Sequence, residues 1–166
     1  MGKLSLDSDG RTERHPPTLI EVHAMNTAAE IMTTDVVTVE PQNSVATAIR
    51  LMRQGQLRRL PVVEDGVLVG IVTAGDLRRV SGLASVLKDP SQDNLFWHHI
   101  PVANVMSRDL ITLSPDTPIS VAAQILVERK IGGLPVVQNG RLVGIITASD
   151  LLTTLIEPDD ALMAAH

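Results

Sequence analysis

The side chains best suited to chemistry in this sequence form the pattern Thr-x-x-Asp, which occurs twice. Thr73 stands three residues before Asp76, and Thr147 three residues before Asp150. An ionised carboxylate only accepts hydrogen bonds, so it is a natural bidentate acceptor for the two hydroxyls of a cis-diol. The same spacing at the start of a helix resembles a capping box, in which the threonine and the acid satisfy free backbone N–H groups. The pattern by itself leaves both roles open.

Two adjacent arginines, Arg58 and Arg59, directly precede the apolar segment Leu60–Val63. The planar guanidinium bonds phosphate oxygens bidentately, so the pair is a candidate anion-binding element, although a solvated strand edge is an alternative. Gly132 and Gly133 stand 74 residues further along the chain. These glycines either permit tight packing or let a ligand approach the backbone closely.

The sequence shows no catalytic constellation of residues. There is no Cys, no G-x-S-x-G, no H-E-x-x-H and no Walker loop. The adjacent pair His98-His99 points in two directions in either a strand or a helix, so it is a poor metal site. We therefore expect no enzyme activity, no catalytic residues and no metal site. Met32 and Met106 are interpreted as core fillers.

Composition favours a cytoplasmic globular protein. The net charge of −5 argues against a nucleic-acid partner, because neutralising phosphates needs a basic face. No uninterrupted apolar run approaches the roughly 18–20 residues that span a bilayer, so we expect no membrane insertion. The N-terminal residues mix acidic and basic side chains and contain no apolar segment typical of a signal peptide.

The chain contains two copies of one unit. Shifting the sequence by 74 residues places Ile31–Val80 over Val105–Thr154 without a gap, and eighteen of the 50 pairs are identical. The clearest match is between RLPVVEDGVLVGIVTAGDL and GLPVVQNGRLVGIITASDL. Each unit is too short to bury much surface alone, so we expect the two to pack around a shared core.

Each copy is predicted to fold as β-α-β-β-α. β-branched and apolar runs at Val36–Val39 and Leu110–Leu113 predict the first strands. Asn43 and Thr117 are candidate N-caps of the first helices, with Pro118 at a first helical position. Asp-Gly and Asn-Gly between apolar runs predict two-residue hairpins. A second helix follows, from Ala74 and from Ala148.

The sequence is predicted to have five parts. They are a flexible tail (residues 1–18), a first repeat with a leading arm (19–80), a linker (81–100), a second repeat (101–157) and a C-terminal tail (158–166). The linker contains an aromatic pair, Phe96-Trp97, which is expected to pack against the repeats.

Two copies of an h-P-V-V segment, a tight hairpin and G-h-h-T-x-x-D-L resemble the CBS domain family over roughly Ala28–Ile156. Two such repeats in one chain are similar to a complete CBS pair, or Bateman module. The resemblance implies an α/β (α+β) fold, with the two repeats packed around a pseudo-twofold axis. It also implies two clefts between the repeats, each able to take an adenosine-containing ligand.

Site residues follow from the resemblance. Thr73 and Asp76 would bind the ribose in one cleft, and Thr147 and Asp150 in the other. Residues of the opposite repeat would frame the base: Ile131, Gly132, Gly133 and Ala103 in the first cleft, and Leu57, Arg58, Arg59 and Ala29 in the second.

Arg59 occupies a position where relatives place a phosphate-contacting arginine, so the Thr73/Asp76 cleft is expected to be the stronger nucleotide site. The second repeat has Gly133 at the equivalent position. The Thr147/Asp150 cleft is therefore expected to bind a neutral or cationic adenosine derivative, to bind nothing, or to borrow Arg58.

The predicted function is a regulatory module that binds AMP, ADP or ATP, requires no cofactor, forms a homodimer and acts on an unidentified effector protein. The alternative is a dimerisation scaffold with vestigial clefts.

Overall fold

The computed structural model describes residues 26–81 and 95–156, together with two short strands near the N-terminus. Strands β1 (Leu4–Leu6) and β2 (Thr12–Arg14) pair antiparallel within the segment that was expected to be a flexible tail. The structure does not describe the other residues of that tail, most of the leading arm, linker residues 82–94 or residues 157–166.

The two halves repeat the same succession of elements. The first half contains α1 (Ala28–Ile31), α2 (Val45–Gln54), β3 (Arg59–Glu64), β4 (Val67–Thr73) and α3 (Ala74–Ser81). Two short 3-10 helices follow, at Leu95–His98 and Val102–Asn104. The second half contains α4 (Ile119–Arg129), β5 (Gly133–Gln138), β6 (Arg141–Thr147) and α5 (Ala148–Ile156).

One four-stranded sheet joins the halves in the order β3-β4-β6-β5. The two hairpins β3-β4 and β5-β6 are antiparallel, and β4 meets β6 where Val67 pairs with Arg141. Asp65 and Gly66 have φ values of +52° and +82°, and Asn139 and Gly140 have +52° and +78°. Positive φ at both central residues is what a type I′ turn requires, so the hairpin prediction is confirmed.

The predicted first strands shrink to single parallel bridges, Val39 with Val62 and Leu113 with Val136. The Val39 N–H donates to the Pro61 carbonyl over 3.1 Å, and its carbonyl accepts from the Val63 N–H over 2.8 Å. Extending this ladder by two residues would need a backbone N–H at Pro61, which proline lacks. Pro135 ends the second ladder in the same way.

Both predicted N-caps are wrong by one residue. Ser44 caps α2, since its hydroxyl accepts from the Thr47 N–H, and Pro118 occupies the cap position of α4. The Asn43 side chain instead accepts from the Glu40 N–H over 2.9 Å. Thr117 likewise accepts from the Ser114 N–H over 3.1 Å. These side chains therefore close the turn before the helix rather than capping it.

The buried residues form two clusters, one per half, instead of the single shared core that was expected. The halves are joined by exchange of their leading segments, the residues that precede the first long helix of each half: each segment packs against the core of the other half. Ala28, at the start of the first half, is fully buried in the cluster of the second half, while Val102, from the segment that leads into the second half, is fully buried in that of the first. Neither half completes its core alone.

Backbone hydrogen bonds hold both exchanged segments in place. The Ala28 N–H donates to the Thr117 carbonyl, and the Val102 N–H donates to the Asn43 carbonyl, each over 2.8 Å. Trp97 from the linker is also buried in the first cluster, as predicted for one of the two aromatic residues; the Phe96 side chain lies outside the described part.

Candidate functional site

A cavity of about 780 Å³ opens between the halves beside the first Thr-x-x-Asp pattern. Thr73 at the end of β4 and Asp76 in the first turn of α3 form one wall. Ile131, Gly132 and Gly133, which lead into β5 of the other half, form the opposite wall, as the sequence predicted. A third wall comes from the segment before α4 and includes Ser107, Asp109, Leu110 and Ile111.

A second cavity of about 610 Å³ lies beside the second pattern. Thr147 and Asp150 face residues that lead into β3, namely Leu57, Arg58 and Arg59. The extended segment before α2 closes this cavity with Thr33, Asp35, Val36 and Val37. These residues are the counterparts of Ser107, Asp109, Leu110 and Ile111, so the two cavities are built alike.

Two predicted base-framing residues do not belong to the cavity walls. Ala103 lies in the 3-10 helix Val102–Asn104, and its N–H donates to the Pro41 carbonyl. Ala29 lies in α1, and its N–H donates to the Pro115 carbonyl. In both leading segments this short helical stretch packs against the opposite half. The segment reaches its cavity only four residues later, at Ser107 and at Thr33.

The two Thr-x-x-Asp pairs adopt the geometry of a helix cap. One oxygen of Asp76, Oδ2, accepts from the Thr73 N–H at 2.8 Å and from the Thr73 hydroxyl at 2.6 Å. The Asp76 N–H donates back to Thr73 Oγ1 at 3.2 Å. Asp150 Oδ2 accepts equivalent bonds from Thr147 at 2.6 and 2.7 Å. Each carboxylate thus uses one oxygen locally and leaves Oδ1 for another partner.

The two carboxylates differ at this remaining oxygen. Asp76 Oδ1 accepts from Arg79 of the same helix, whose side chain is 78% exposed whereas that of Asp76 is 7% exposed. The counterpart of Arg79 is Thr153, whose hydroxyl donates to the Ser149 carbonyl. Because ion pairs of an exposed side chain contribute about 0–1 kcal/mol, a diol hydroxyl can replace Arg79 at small cost.

Arg59 lies between the two cavities and borders both. Its half-buried side chain covers the backbone of Gly132 and Gly133, and a Cβ atom at either glycine would overlap its guanidinium. Burial lowers the pKa of Arg59, and the neighbouring Arg58 guanidinium lowers it further. Both effects mean that the cation is poorly compensated where it lies, so an anion beside it would be stabilised.

The charged side chains around the two cavities are unequal. The first cavity has four cations, Arg58, Arg59, Arg78 and Lys130, against two carboxylates, Asp76 and Asp109. The second has only the two shared arginines, Arg58 and Arg59, against Asp35 and Asp150. The sequence analysis did not identify four charged residues that line the cavities: Arg78, Asp109, Lys130 and Asp35. Asp35 and Asp109 occupy equivalent positions in the two repeats, and this repetition was a signal that could have identified them.

Within residues 26–81 and 95–156, no group of three or more His, Asp or Glu side chains is arranged to hold a metal ion. In the same part of the chain, no helix combines the length and apolarity needed to cross a membrane.

Comparison with known proteins gives consistent matches to one family. The profile of the CBS domain matches residues 28–82 and 102–157. A CBS domain-containing protein of Bacillus subtilis, YhcV, is 32% identical over 137 residues, which cover 82% of this chain and 91% of YhcV. Inosine-5'-monophosphate dehydrogenase of Thermoplasma acidophilum is 38% identical over 130 residues, but these cover only 24% of that enzyme.

Solved structures of CBS proteins with bound adenosine compounds are also similar. CBSX2 in complex with AMP superimposes with a TM-score of 0.67 at 27% identity, covering 79% of this chain and 96% of that one. The CBS domain pair of MJ0100 was solved in complex with 5'-methylthioadenosine and S-adenosyl-L-methionine. Its TM-score is 0.64 at 25% identity, with the same coverage of the two chains.

Proposed function

This chain belongs to the CBS domain family and contains two repeats of it, and from that premise we propose that it is a non-catalytic regulatory module that binds AMP, ADP or ATP. The observation that carries the proposal is the charge of the first cavity, which is lined by four cations as well as by the buried Asp76. The complex of the similar protein CBSX2 with AMP supports the choice of ligand class.

In the proposed complex, Asp76 Oδ1 exchanges Arg79 for the ribose hydroxyls while Oδ2 keeps its bonds to Thr73. The base lies against Ile131, and the phosphate contacts Arg59, which bonds it bidentately. The Thr147/Asp150 cleft, which has no cation except the shared arginines, favours a neutral or cationic adenosine derivative.

Regulation follows from the position of the clefts between the halves. A ligand that contacts both halves shifts their arrangement only if it binds one arrangement more tightly than another. The changed arrangement is then sensed by an effector protein.

Thermal melts with saturating AMP, ADP, ATP, S-adenosylmethionine and adenosine test this function. At about 100 times its Kd, a ligand stabilises the folded chain by roughly 2.7 kcal/mol, which raises the midpoint by several degrees for a protein of this size. We expect phosphorylated nucleotides to give the largest rise and adenosine a smaller one. A panel that leaves the midpoint unchanged would contradict nucleotide binding.

The alternative is a dimerisation scaffold, and one observation favours it: the carboxylates of both Thr-x-x-Asp pairs accept hydrogen bonds from their own threonines in the manner of helix caps. Under this alternative the carboxylates stabilise α3 and α5 only, and no compound of the panel changes the melting midpoint.

We also propose that the chain forms a homodimer through the apolar surface of α4 and α5. A groove of about 430 Å³ between these helices is lined almost entirely by apolar atoms. Val127 and Leu152 on its border are 76% and 59% exposed. The first half has Arg53 and Arg78 at the positions equivalent to Val127 and Leu152, so these two apolar side chains are replaced by charged ones there.

Substitution of Leu152 by aspartate should shift the protein from dimer to monomer, because it places a charge in the proposed contact. Sedimentation velocity across a concentration series measures the change. Arg53→Asp, the counterpart of Val127→Asp in the first half, is the matched control and should leave the dimer intact. A dimer that withstands both Val127→Asp and Leu152→Asp would contradict this interface.

A further inference from the structure

The two cavities share their arginines. Arg58 and Arg59 border both, whereas the second half contributes Gly132 and Gly133 at the equivalent positions and hence no cation. Arg58 is exposed, so its charge is screened by water and salt. Arg59 is half-buried over the two glycines, which makes it the stronger shared anion-binding group.

Beyond the shared arginines, the first cavity has balanced charges and the second is negative. Arg78 and Lys130 border only the first cavity, where they balance Asp76 and Asp109. Asp35 and Asp150 border only the second, and no cation accompanies them among the residues that line it. The second cavity therefore depends on the shared arginines for any affinity towards an anion.

We infer that the two clefts compete for Arg59, so that a phosphorylated nucleoside in the Thr73/Asp76 cleft weakens binding of a second one in the Thr147/Asp150 cleft. This inference rests on the proposed function. A bidentate bond to a phosphate in the first cleft holds the Arg59 guanidinium towards that cleft and draws its charge away from the second. What remains in the second cleft is the exposed Arg58 against the two carboxylates Asp35 and Asp150, which together no longer attract a phosphate.

An uncharged nucleoside makes no demand on Arg59, so it binds the second cleft equally well whether the first is filled or empty. The favoured doubly occupied state thus holds one phosphorylated and one uncharged or cationic nucleoside. Because coupling between two binding sites is reciprocal, a phosphorylated ligand forced into the second cleft weakens the first by the same factor.

Isothermal titration calorimetry on the full chain tests the competition, with AMP and adenosine as probes. The affinity of the second cleft for AMP is measured with the first cleft filled, as the second binding step of the unmodified protein. It is measured with the first cleft empty in Asp76→Asn, which keeps the side-chain size and a cap acceptor but loses the charge. We expect AMP to bind the second cleft at least about tenfold more tightly in Asp76→Asn, which is about 1.4 kcal/mol. Adenosine should bind it equally in both proteins.

The variant Arg59→Gln identifies the group responsible. Once Arg59 is replaced by glutamine, filling or emptying the first cleft should no longer matter. The second cleft should therefore bind AMP equally weakly in Arg59→Gln and in the double variant that carries both Arg59→Gln and Asp76→Asn. Equal AMP affinity of the second cleft in the unmodified protein and in Asp76→Asn would overturn the inference while leaving nucleotide binding intact. A difference that persists without Arg59 would also overturn it. Absence of binding by both AMP and adenosine would overturn the proposed function itself, and the competition with it. If Asp76→Asn retains AMP in its first cleft, Asp76→Ala supplies the same comparison.

Discussion

Replacement of Asp76 by alanine is expected to weaken AMP binding roughly 100-fold, since it removes the carboxylate proposed to accept from the ribose hydroxyls. Hydrogen bonds to a charged group contribute about 1.5–3 kcal/mol each, and about 2.8 kcal/mol corresponds to a factor of 100. The side chain is only 7% exposed, so water does not replace the lost acceptor fully. Calorimetric titration with AMP measures the effect.

The same substitution removes a helix cap, and the two effects must be separated. Losing the acceptor for the Thr73 N–H is expected to lower the free energy of unfolding by about 1 kcal/mol, measured by urea denaturation. Asp150→Ala is the matched control, because it removes the equivalent cap but lies in the other cleft. It should lower stability to a similar degree and leave the tighter AMP site intact. If both variants only lose stability and neither alters the AMP response, the carboxylates are caps and the scaffold alternative is supported.

Local sequence patterns correctly predicted the hairpin turns and the buried face of α2, because these features are determined by residues close together in the sequence. The Asp65-Gly66 and Asn139-Gly140 turns were predictable because few residues adopt positive φ in succession. The helical face of Val45, Ala48, Ile49 and Met52 is buried as its spacing indicates. The first strands were overestimated because apolar composition does not reveal which N–H groups a ladder needs, and Pro61 lies in the partner strand.

The cleft walls depend on contacts between halves, which local patterns do not encode. The two Thr-x-x-Asp pairs and the segments before β3 and β5 were identified through the repeat and the family resemblance, and the structure places them together. Ala29 and Ala103 were misplaced because the leading segments turn against the opposite half before they reach the clefts. Arg59 was assigned to both clefts from the sequence, once as a residue framing a base and once as a phosphate contact, and it does line both cavities.

Exchange of the leading segments leads to the second large effect, at a residue that lines neither of the two cavities described above. Substitution of Ala28 by glutamate should lower the free energy of unfolding by about 3 kcal/mol or more, because it places an unpaired charge in a fully buried position. Although Ala28 belongs to the first half in sequence, it packs in the cluster of the second half, with Leu134 and Ile146. Hydrogen exchange should therefore lose protection first in β5 and β6, and later in β3 and β4.

Ala29→Glu is the matched control, since Ala29 is the adjacent residue of the same short helix and is exposed. A charge at this position stays in water and should change the free energy of unfolding by less than about 0.5 kcal/mol. The same logic applies in reverse to Val102, which follows the first repeat in sequence but is buried in its core. Val102→Asp should therefore reduce protection of β3 and β4 before that of β5 and β6. The exchange would be contradicted if either variant lost protection only in the half to which the substituted residue belongs in sequence. The exchanged segments would then not be what holds the two halves together around the clefts.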